Sequence, residues 1–324
     1  MSIIERYITL AGAAITDYYS AKAPLNLYEP VDYVLGLGGK RLRPALCMAA
    51  CHFYGGDGTS AGSAAMGLEM FHNFTLLHDD IMDGASIRRN QPTVHVKWNA
   101  NTAILSGDAM MILANQMMLN VPDAVLKPVQ QLFLKTALEV CEGQQYDMDF
   151  EHRDNVDVDE YIEMTRLKTA VLIAASLKIG ALIGGASEKD ASLLYEFGVN
   201  LGLAFQLQDD YLDVYGNSAE FGKSIGGDIV CNKKTFLLIN CITNANDEQR
   251  KVLDYWLTKT DFDRNEKIAA VTQLYNELNI ASISKMRMEQ YYQTALLILD
   301  QLSIADEYKN ELKVFAGNTL FRSK

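Results

Sequence analysis

The stretch AAMGLEMFHNFTLLHDDI, Ala64 to Ile81, decides how this chain folds. Its apolar residues recur every three or four positions, the period of one helix face. The same spacing returns in SLLYEFGVNLGLAFQLQDDYLDVY (Ser192 to Tyr215) and in EQYYQTALLILDQL (Glu289 to Leu302). No stretch alternates with period two for long, and no valine- and isoleucine-rich run sits between hairpin turns. Only six prolines interrupt 324 residues. The pattern predicts an all-α chain. Its breaks are short and rich in Gly, Pro or small polar residues, at 36–44, 54–60, 87–93, 184–190 and 216–228. None is long enough to link two domains, so one helical domain of ten or more helices is expected over residues 1–324.

Working outward, 49% apolar content allows a large core, and a net charge of −12 disfavours a general nucleic-acid or anionic-membrane surface. Five cysteines at scattered positions, without Cys-x-x-Cys, point to a reduced, cytoplasmic protein. Cys47 and Cys51 fit a buried helix face better than a metal site. The opening MSIIERYITLAGAAITDYYS reads as an amphipathic helix, because Glu5 and Asp17 spoil a signal peptide. The longest apolar run, from Ala170 to Ala186, carries Lys178 and is too short to span a bilayer. The Met-rich 109–119 segment suits core or dimer packing, since Met fills irregular apolar gaps.

The opening helix ends in acid. Asp79, Asp80 and Asp83 stand at i, i+1 and i+4, and Asp209, Asp210 and Asp213 repeat that spacing far downstream. Positions i and i+4 share a helix face. Carboxylates at the end of an apolar stripe suggest a cavity charged at its mouth and apolar below. Two such ends facing each other would hold hard cations, and Mg2+ suits best, because it takes few carboxylates and leaves sites for water and phosphate oxygens.

Basic residues flank both clusters. Lys40, Arg41 and Arg43 lie in GGKRLRP, Arg88 and Arg89 follow the first cluster, and Lys168 with Thr169 lies mid-chain. Lys223 and then Lys233 and Lys234 follow the second cluster. Aspartates repel phosphate unless a metal intervenes, whereas Lys and Arg bind it directly. Both kits are present, which implies two phosphorylated substrates held by different means. Neither a P-loop nor a dinucleotide fingerprint occurs.

In order, the chain reads GGKRLRP, HNFTLLHDDIMD, RRNQPT, GQQYD, KTA, FQLQDDYLD, GK and GGDI. This ordered set, spanning roughly Leu35 to Lys234, resembles the trans-isoprenyl diphosphate synthase (polyprenyl synthetase) family. The resemblance implies an isoprenoid-synthase helical bundle with a central apolar cavity. It also implies condensation of isopentenyl diphosphate with an allylic diphosphate, usually by a homodimer. By position, Asp79, Asp83 and Asp209 resemble the ligands of about three Mg2+ ions per site, supported by Asp80, Asp147, Asp210 and Asp213. Arg88, Lys168 and Lys223 resemble contacts to the allylic diphosphate. Lys40, Arg43, His72 and Arg89 resemble the isopentenyl diphosphate pocket, with Gln144 nearby and Lys233 among the substrate-binding residues. Thr169 and Gln206 match positions that steady a carbocation. His78 is expected to point elsewhere and to be structural.

Product length should be set along the helix that ends at Asp79, where one turn advances about 5.4 Å, near one isoprene unit. Thr75 and Phe74 would gate the chain one turn below the metals, and Phe71 a further turn down. One gate residue is aromatic and one small, which favours a C20 product over C15. The C-terminal Arg322 and Lys324 stand where some relatives close a flap, or form a solvated tail. Three alternatives remain open on the residues. A terpene cyclase shares the first cluster, but has no need of Lys40, Arg43 and His72. A di-iron bundle needs two Glu-x-x-His motifs, and only Glu69 to His72 supplies one. An inactive subunit of a heteromer usually lacks one of the acidic clusters.

Overall fold

Ser2 opens the first helix. Its hydroxyl accepts the Glu5 amide while Glu5 returns the bond to the Ser2 amide, a reciprocal cap that satisfies two otherwise orphaned donors. In this computed structural model, residues 1–18, 22–216 and 225–320 are described. Lys223, Arg322 and Lys324, singled out above, lie outside them.

The elements are α1 (Ile3–Asp17), α2 (Leu25–Gly36), α3 (Leu42–Phe53), α4 (Gly62–Met82), β1 (Ile87–Arg88), β2 (Gln91–Pro92), α5 (Val94–Lys97), α6 (Ala100–Met118), α7 (Asp123–Glu151) and α8 (Val158–Thr165). A π-helical turn, Arg166–Ala170, leads into α9 (Val171–Ile183). Then follow α10 (Glu188–Tyr215), α11 (Gly227–Val230), α12 (Phe236–Asn244), α13 (Asp247–Thr258), α14 (Arg264–Glu277), α15 (Ile280–Asp300) and α16 (Asp306–Leu320). The all-α expectation holds, with one exception. Segment 87–92 is a two-stranded hairpin pairing Ile87 with Pro92 and Arg88 with Gln91. Its turn residues Arg89 and Asn90 have φ of 51° and 62°, the left-handed pair that a tight hairpin demands.

Contacts divide the chain into two compact units. The first comprises 1–135, 172–195 and 302–311. In it α1 buries Ile4, Tyr7, Ala11 and Ile15, the stripe expected of an amphipathic helix. Buried Cys47 and Cys51 lie on α3, where α9 approaches so closely that a Cβ on Gly180 or Gly184 would strike the Cys47 or Cys51 carbonyl. Helix α4 packs on α6 in the same way: a Cβ on Gly67 would lie 3.0 Å from the Ala114 carbonyl. His78 lies over Gly107, and its Nε2 is 3.2 Å from the Ile104 carbonyl oxygen, the structural role expected for it.

The second unit comprises 136–171, 196–301 and 312–324. One of its cores joins Ile229, Leu237, Leu238, Leu253, Val271, Leu274 and Tyr275 from α11 to α14. Another joins Phe150, Tyr161, Met164, Leu207, Phe236 and Ile239. Among the described residues, no helix is long and apolar enough to cross a membrane.

Candidate active site

In the first unit, the loop from α2 to α3 bends through Gly38 and Gly39 (φ 86° and 132°) before Arg41, itself left-handed at φ 49°. The Arg89 guanidinium lies against this backbone: a Cβ on Gly39 would stand 2.9 Å from Arg89 Nη2. Arg89 donates to the Gly38 carbonyl. Arg41 is a structural residue: it is buried, its Nη1 meets Glu69 Oε1 at 2.5 Å, and its Nη2 donates to the Leu35 carbonyl. Glu69 is thus spent on Arg41 and Asn73, not on a metal.

Two residues on, Arg43 Nη1 lies 3.2 Å from His72 Nε2 on α4. A guanidinium only donates, so that nitrogen must be unprotonated. Burial holds the His72 pKa well below its usual value, and the charges of Arg43, Arg89, Arg88 and Arg41 push it the same way. The Arg43 Nε is buried without a partner. With exposed Lys40 beside it in sequence, this is a concentration of fixed positive charge around a neutral acceptor, a setting that attracts an anion. His72 and Asp79 stand two turns apart on one face of α4.

Asp79 and Asp80 are neighbours with different surroundings. Asp80 is 5% exposed, and Arg88 Nε donates to both its oxygens at 2.8 Å. Burial raises the Asp80 carboxyl above its usual range despite Arg88. Asp79 is half-buried and meets Arg88 Nη2 at 3.4 Å, while Asp83 caps the helix and is exposed. Below them, Phe71 packs edge-on to Phe133 of α7 at 5.5 Å and beside Phe74 at 5.5 Å, and Phe74 meets His78 at 4.8 Å. Thr75 Oγ1 donates to the His72 carbonyl at 2.8 Å.

The second unit repeats the division of the Asp pair. Asp209 is exposed on α10, whereas Asp210 is 5% exposed. Tyr161 Oη donates to Asp210 at 2.5 Å and Gln206 Nε2 at 3.0 Å. Burial pushes the Asp210 carboxyl up to about 6 against those bonds. Thr169 Oγ1 reaches Gln206 Oε1 at 3.3 Å, so Thr169, Gln206 and Asp210 form one chain. Lys168 and Thr169 ride on the π turn, a local departure common at functional sites. Gly143 of α7 accommodates it, since a Cβ there would lie 2.7 Å from Lys168 Cα. Lys168 Nζ meets Asp147 at 2.6 Å. Burial works to raise the Asp147 carboxyl, but Lys233 and Lys168 outweigh it and the net shift is downward. Gln144 is half-buried beside Gly143.

Two residues escaped the sequence reading. Asp228 sits in the quoted GGDI motif, and its amide donates to Asp213 Oδ2 at 3.0 Å. Burial raises its carboxyl to about 7; Lys233 opposes this, and Asp210, Asp213 and Asp209 add to it. Tyr161 carries no sequence signal beyond the periodicity that buries it. Among the described residues, no three His, Cys, Asp or Glu side chains form a preformed metal cage. The all-carboxylate donors nevertheless fit Mg2+, which is bound through one or two carboxylates with water and phosphate oxygens completing its shell.

The polyprenyl synthetase family model matches residues 24–278. Geranylgeranyl diphosphate synthase of Methanosarcina mazei is 46% identical over 231 residues, 70% of this chain and 71% of that protein. Geranylfarnesyl diphosphate synthase of Natronomonas pharaonis is 36% identical over 271 residues, 78% of this chain and 80% of that protein. A crystal structure of a geranylgeranyl pyrophosphate synthase superposes with a TM-score of 0.95 at 43% identity, covering 100% of both chains. On this match, the chain belongs to the polyprenyl synthetase family of trans-isoprenyl diphosphate synthases, in its short-chain branch, and is a prenyltransferase.

Proposed function

We propose that residues 1–324 act as one catalytic domain that condenses isopentenyl diphosphate with an allylic diphosphate, with a C20 all-trans product favoured over C15. One observation carries the reading. A single face of α4 bears a neutral histidine among arginines and, two turns on, a helix end of carboxylates. The first takes an anion directly and the second only through a metal, so two diphosphates are told apart.

Lys40, Arg43, His72 and Arg89 bind isopentenyl diphosphate, and Gln144 is a further substrate-binding residue. Asp79, Asp83 and Asp209 would hold Mg2+, which when bound neutralises the diphosphate leaving group. Asp80 keeps Arg88 oriented, and Asp147 does the same for Lys168. Arg88, Lys168, Lys223 and Lys233 then stabilise the charge gathering on the leaving diphosphate. Thr169 and Gln206 turn oxygen dipoles toward the allylic cation, and Asp210 and Asp213 set the pose of their helix end. The apolar column of Phe71 and Phe74, with Thr75 above it, lines the tunnel and excludes water that would quench the cation.

A homodimer is part of the reading, because Leu105 and Ile112 of α6 and Leu119 at its C-cap are exposed apolar residues at seven-residue spacing. So is a cytoplasmic setting, in which the buried Cys47, Cys51 and Cys241 stay reduced. The relative that makes geranylfarnesyl diphosphate shows that chains this similar differ in product.

The test is turnover of purified protein with Mg2+, isopentenyl diphosphate and primers of graded length, with products resolved by chain length. A C20 product is expected, and Phe74→Ala should shift it longer by at least one five-carbon unit. Turnover absent with every primer would overturn the reaction, and a hydrocarbon released from farnesyl diphosphate alone would make the protein a cyclase. An unchanged product from Phe74→Ala would remove the gate.

A further inference from the structure

Lys267 of α14 is 1% exposed, yet its ammonium has no carboxylate partner among the described residues. Lysine is seldom fully buried unless paired, because an ammonium out of water costs several kcal/mol. This one is satisfied by neutral groups. It donates to the Val230 carbonyl at 3.1 Å and to Asn232 Oδ1 at 2.7 Å, and it lies 4.3 Å from the centre of the Phe262 ring. Asn232 is left-handed at φ 55°, and its side-chain Nδ2 donates in turn to the Leu257 carbonyl at 2.9 Å.

Two neighbours on α14 grip the same segment. Arg264 Nη2 donates to the Ile225 carbonyl at 3.1 Å. Ile268 packs so tightly on Gly226 that a Cβ there would lie 2.7 Å from it. Positions 264, 267 and 268 share one helix face. They hold the segment at 225 and 226 on one side of Asp228 and at 230 and 232 on the other. That segment also delivers Lys233, whose amide donates to the Asp228 carbonyl at 2.9 Å.

The segment meets α10 through two bonds: the Gly226 amide donates to the Asp213 carbonyl at 2.6 Å and the Asp228 amide to Asp213 Oδ2 at 3.0 Å. The grip from α14 on the other side is what keeps those bonds in place. We infer that Lys267 is a positioning residue: by fixing segment 225–235 from behind, it holds Asp228 and Lys233 in register with the aspartates of α10, and so sets how tightly divalent cation and diphosphate bind there without touching either. This rests on the function proposed above.

The experiment compares wild-type protein with Lys267→Met, Lys267→Arg and Asn232→Gly. Calorimetry follows Mg2+ binding in the presence of inorganic diphosphate, and turnover gives the half-saturating Mg2+ concentration. Lys267→Met should weaken both by roughly tenfold, the scale of losses from residues that orient metal ligands, while KM for isopentenyl diphosphate stays near its wild-type value. Lys267→Arg, still a cationic donor, should restore most of the binding. Asn232→Gly, which tolerates the positive φ and lacks the acceptor, should repeat the loss in milder form. Leu274→Ala, a cavity in the same core, should lower the unfolding midpoint and leave the Mg2+ titration in place. Wild-type Mg2+ binding in a folded Lys267→Met would overturn the inference. If that variant does not fold, an unchanged Asn232→Gly does the same. A wild-type protein that takes up no Mg2+ with diphosphate would instead bring down the reading of the acidic helix ends, and this inference with it.

Discussion

Neighbouring aspartates in each acidic cluster do different work, and the reason is a rotation. Successive residues on a helix point about 100° apart, so Asp79 and Asp209 turn outward while Asp80 and Asp210 turn in. The sequence shows which residues are acidic and how they are spaced. It does not show that Asp80 would be taken by Arg88, or Asp210 by Tyr161, because those partners come from other elements. The motif order marked His72 as a candidate for the isopentenyl diphosphate pocket, but its neutrality comes from burial and from arginines gathered by folding. That neutrality has a sign in stability. Above about pH 6.5, the ordinary histidine value, neither folded nor unfolded His72 binds a proton. Below it the unfolded chain takes one up and the folded chain refuses until its depressed pKa is reached. Stability therefore falls as pH drops through this window, by about 1.4 kcal/mol for each unit of depression. His72→Gln offers Arg43 an acceptor that does not titrate. Its unfolding midpoint should fall less between pH 7 and 5.5 than that of the wild type, and equal losses would show that His72 is not the group responsible.

At the scale of elements, the apolar period marked the long helices, whereas their caps came from the structure: Asp157 with Glu160 and Asn246 with Gln249 cap α8 and α13 in the reciprocal manner of Ser2 with Glu5. The hairpin at 87–92 was missed because two-residue strands are too short to show alternation, and Arg89 is an unusual residue for a positive φ. The π turn at 166–170 was hidden for another reason. RLKTA has no π signature of its own, and the turn depends on α7 and α10 offering glycine where they meet it. Gly143 faces Lys168, and a Cβ on Gly202 would lie 2.6 Å from Ala170 Cα. Gly143→Ala must therefore displace the backbone that carries Lys168. Overpacking of this kind typically costs about 1–3 kcal/mol. The midpoint of unfolding should drop accordingly, and kcat should fall by at least about tenfold, since a misplacement of about 1 Å at a reacting centre is costly. A stable variant with wild-type kcat would show that the turn tolerates movement and does not set the position of Lys168.

At the scale of the molecule, the order of motifs along the chain made both acidic helix ends legible, Asp79 to Asp83 in the first unit and Asp209 to Asp213 in the second. The division of that chain into two interleaved units was not legible, because segments such as 172–195 join residues that precede them by more than a hundred positions. If both ends grip the same cations, binding should be cooperative in its ingredients. Diphosphate alone meets carboxylates that repel it. Mg2+ alone finds no three-ligand cage among the described residues and keeps most of its water. Together each supplies what the other lacks, since phosphate oxygens complete the metal shell and the metal offsets the repulsion. A ligand at about a hundred times its dissociation constant stabilises the folded state by about 2.7 kcal/mol. The unfolding midpoint should thus rise by several degrees with Mg2+ and inorganic diphosphate together, and by much less with either alone. Asp79→Asn in the first unit and Asp209→Asn in the second should each abolish most of the joint shift. Either acidic end could be lost without affecting that shift only if the two ends bind separately, and that outcome would break the shared grip on which the proposed ionisation depends.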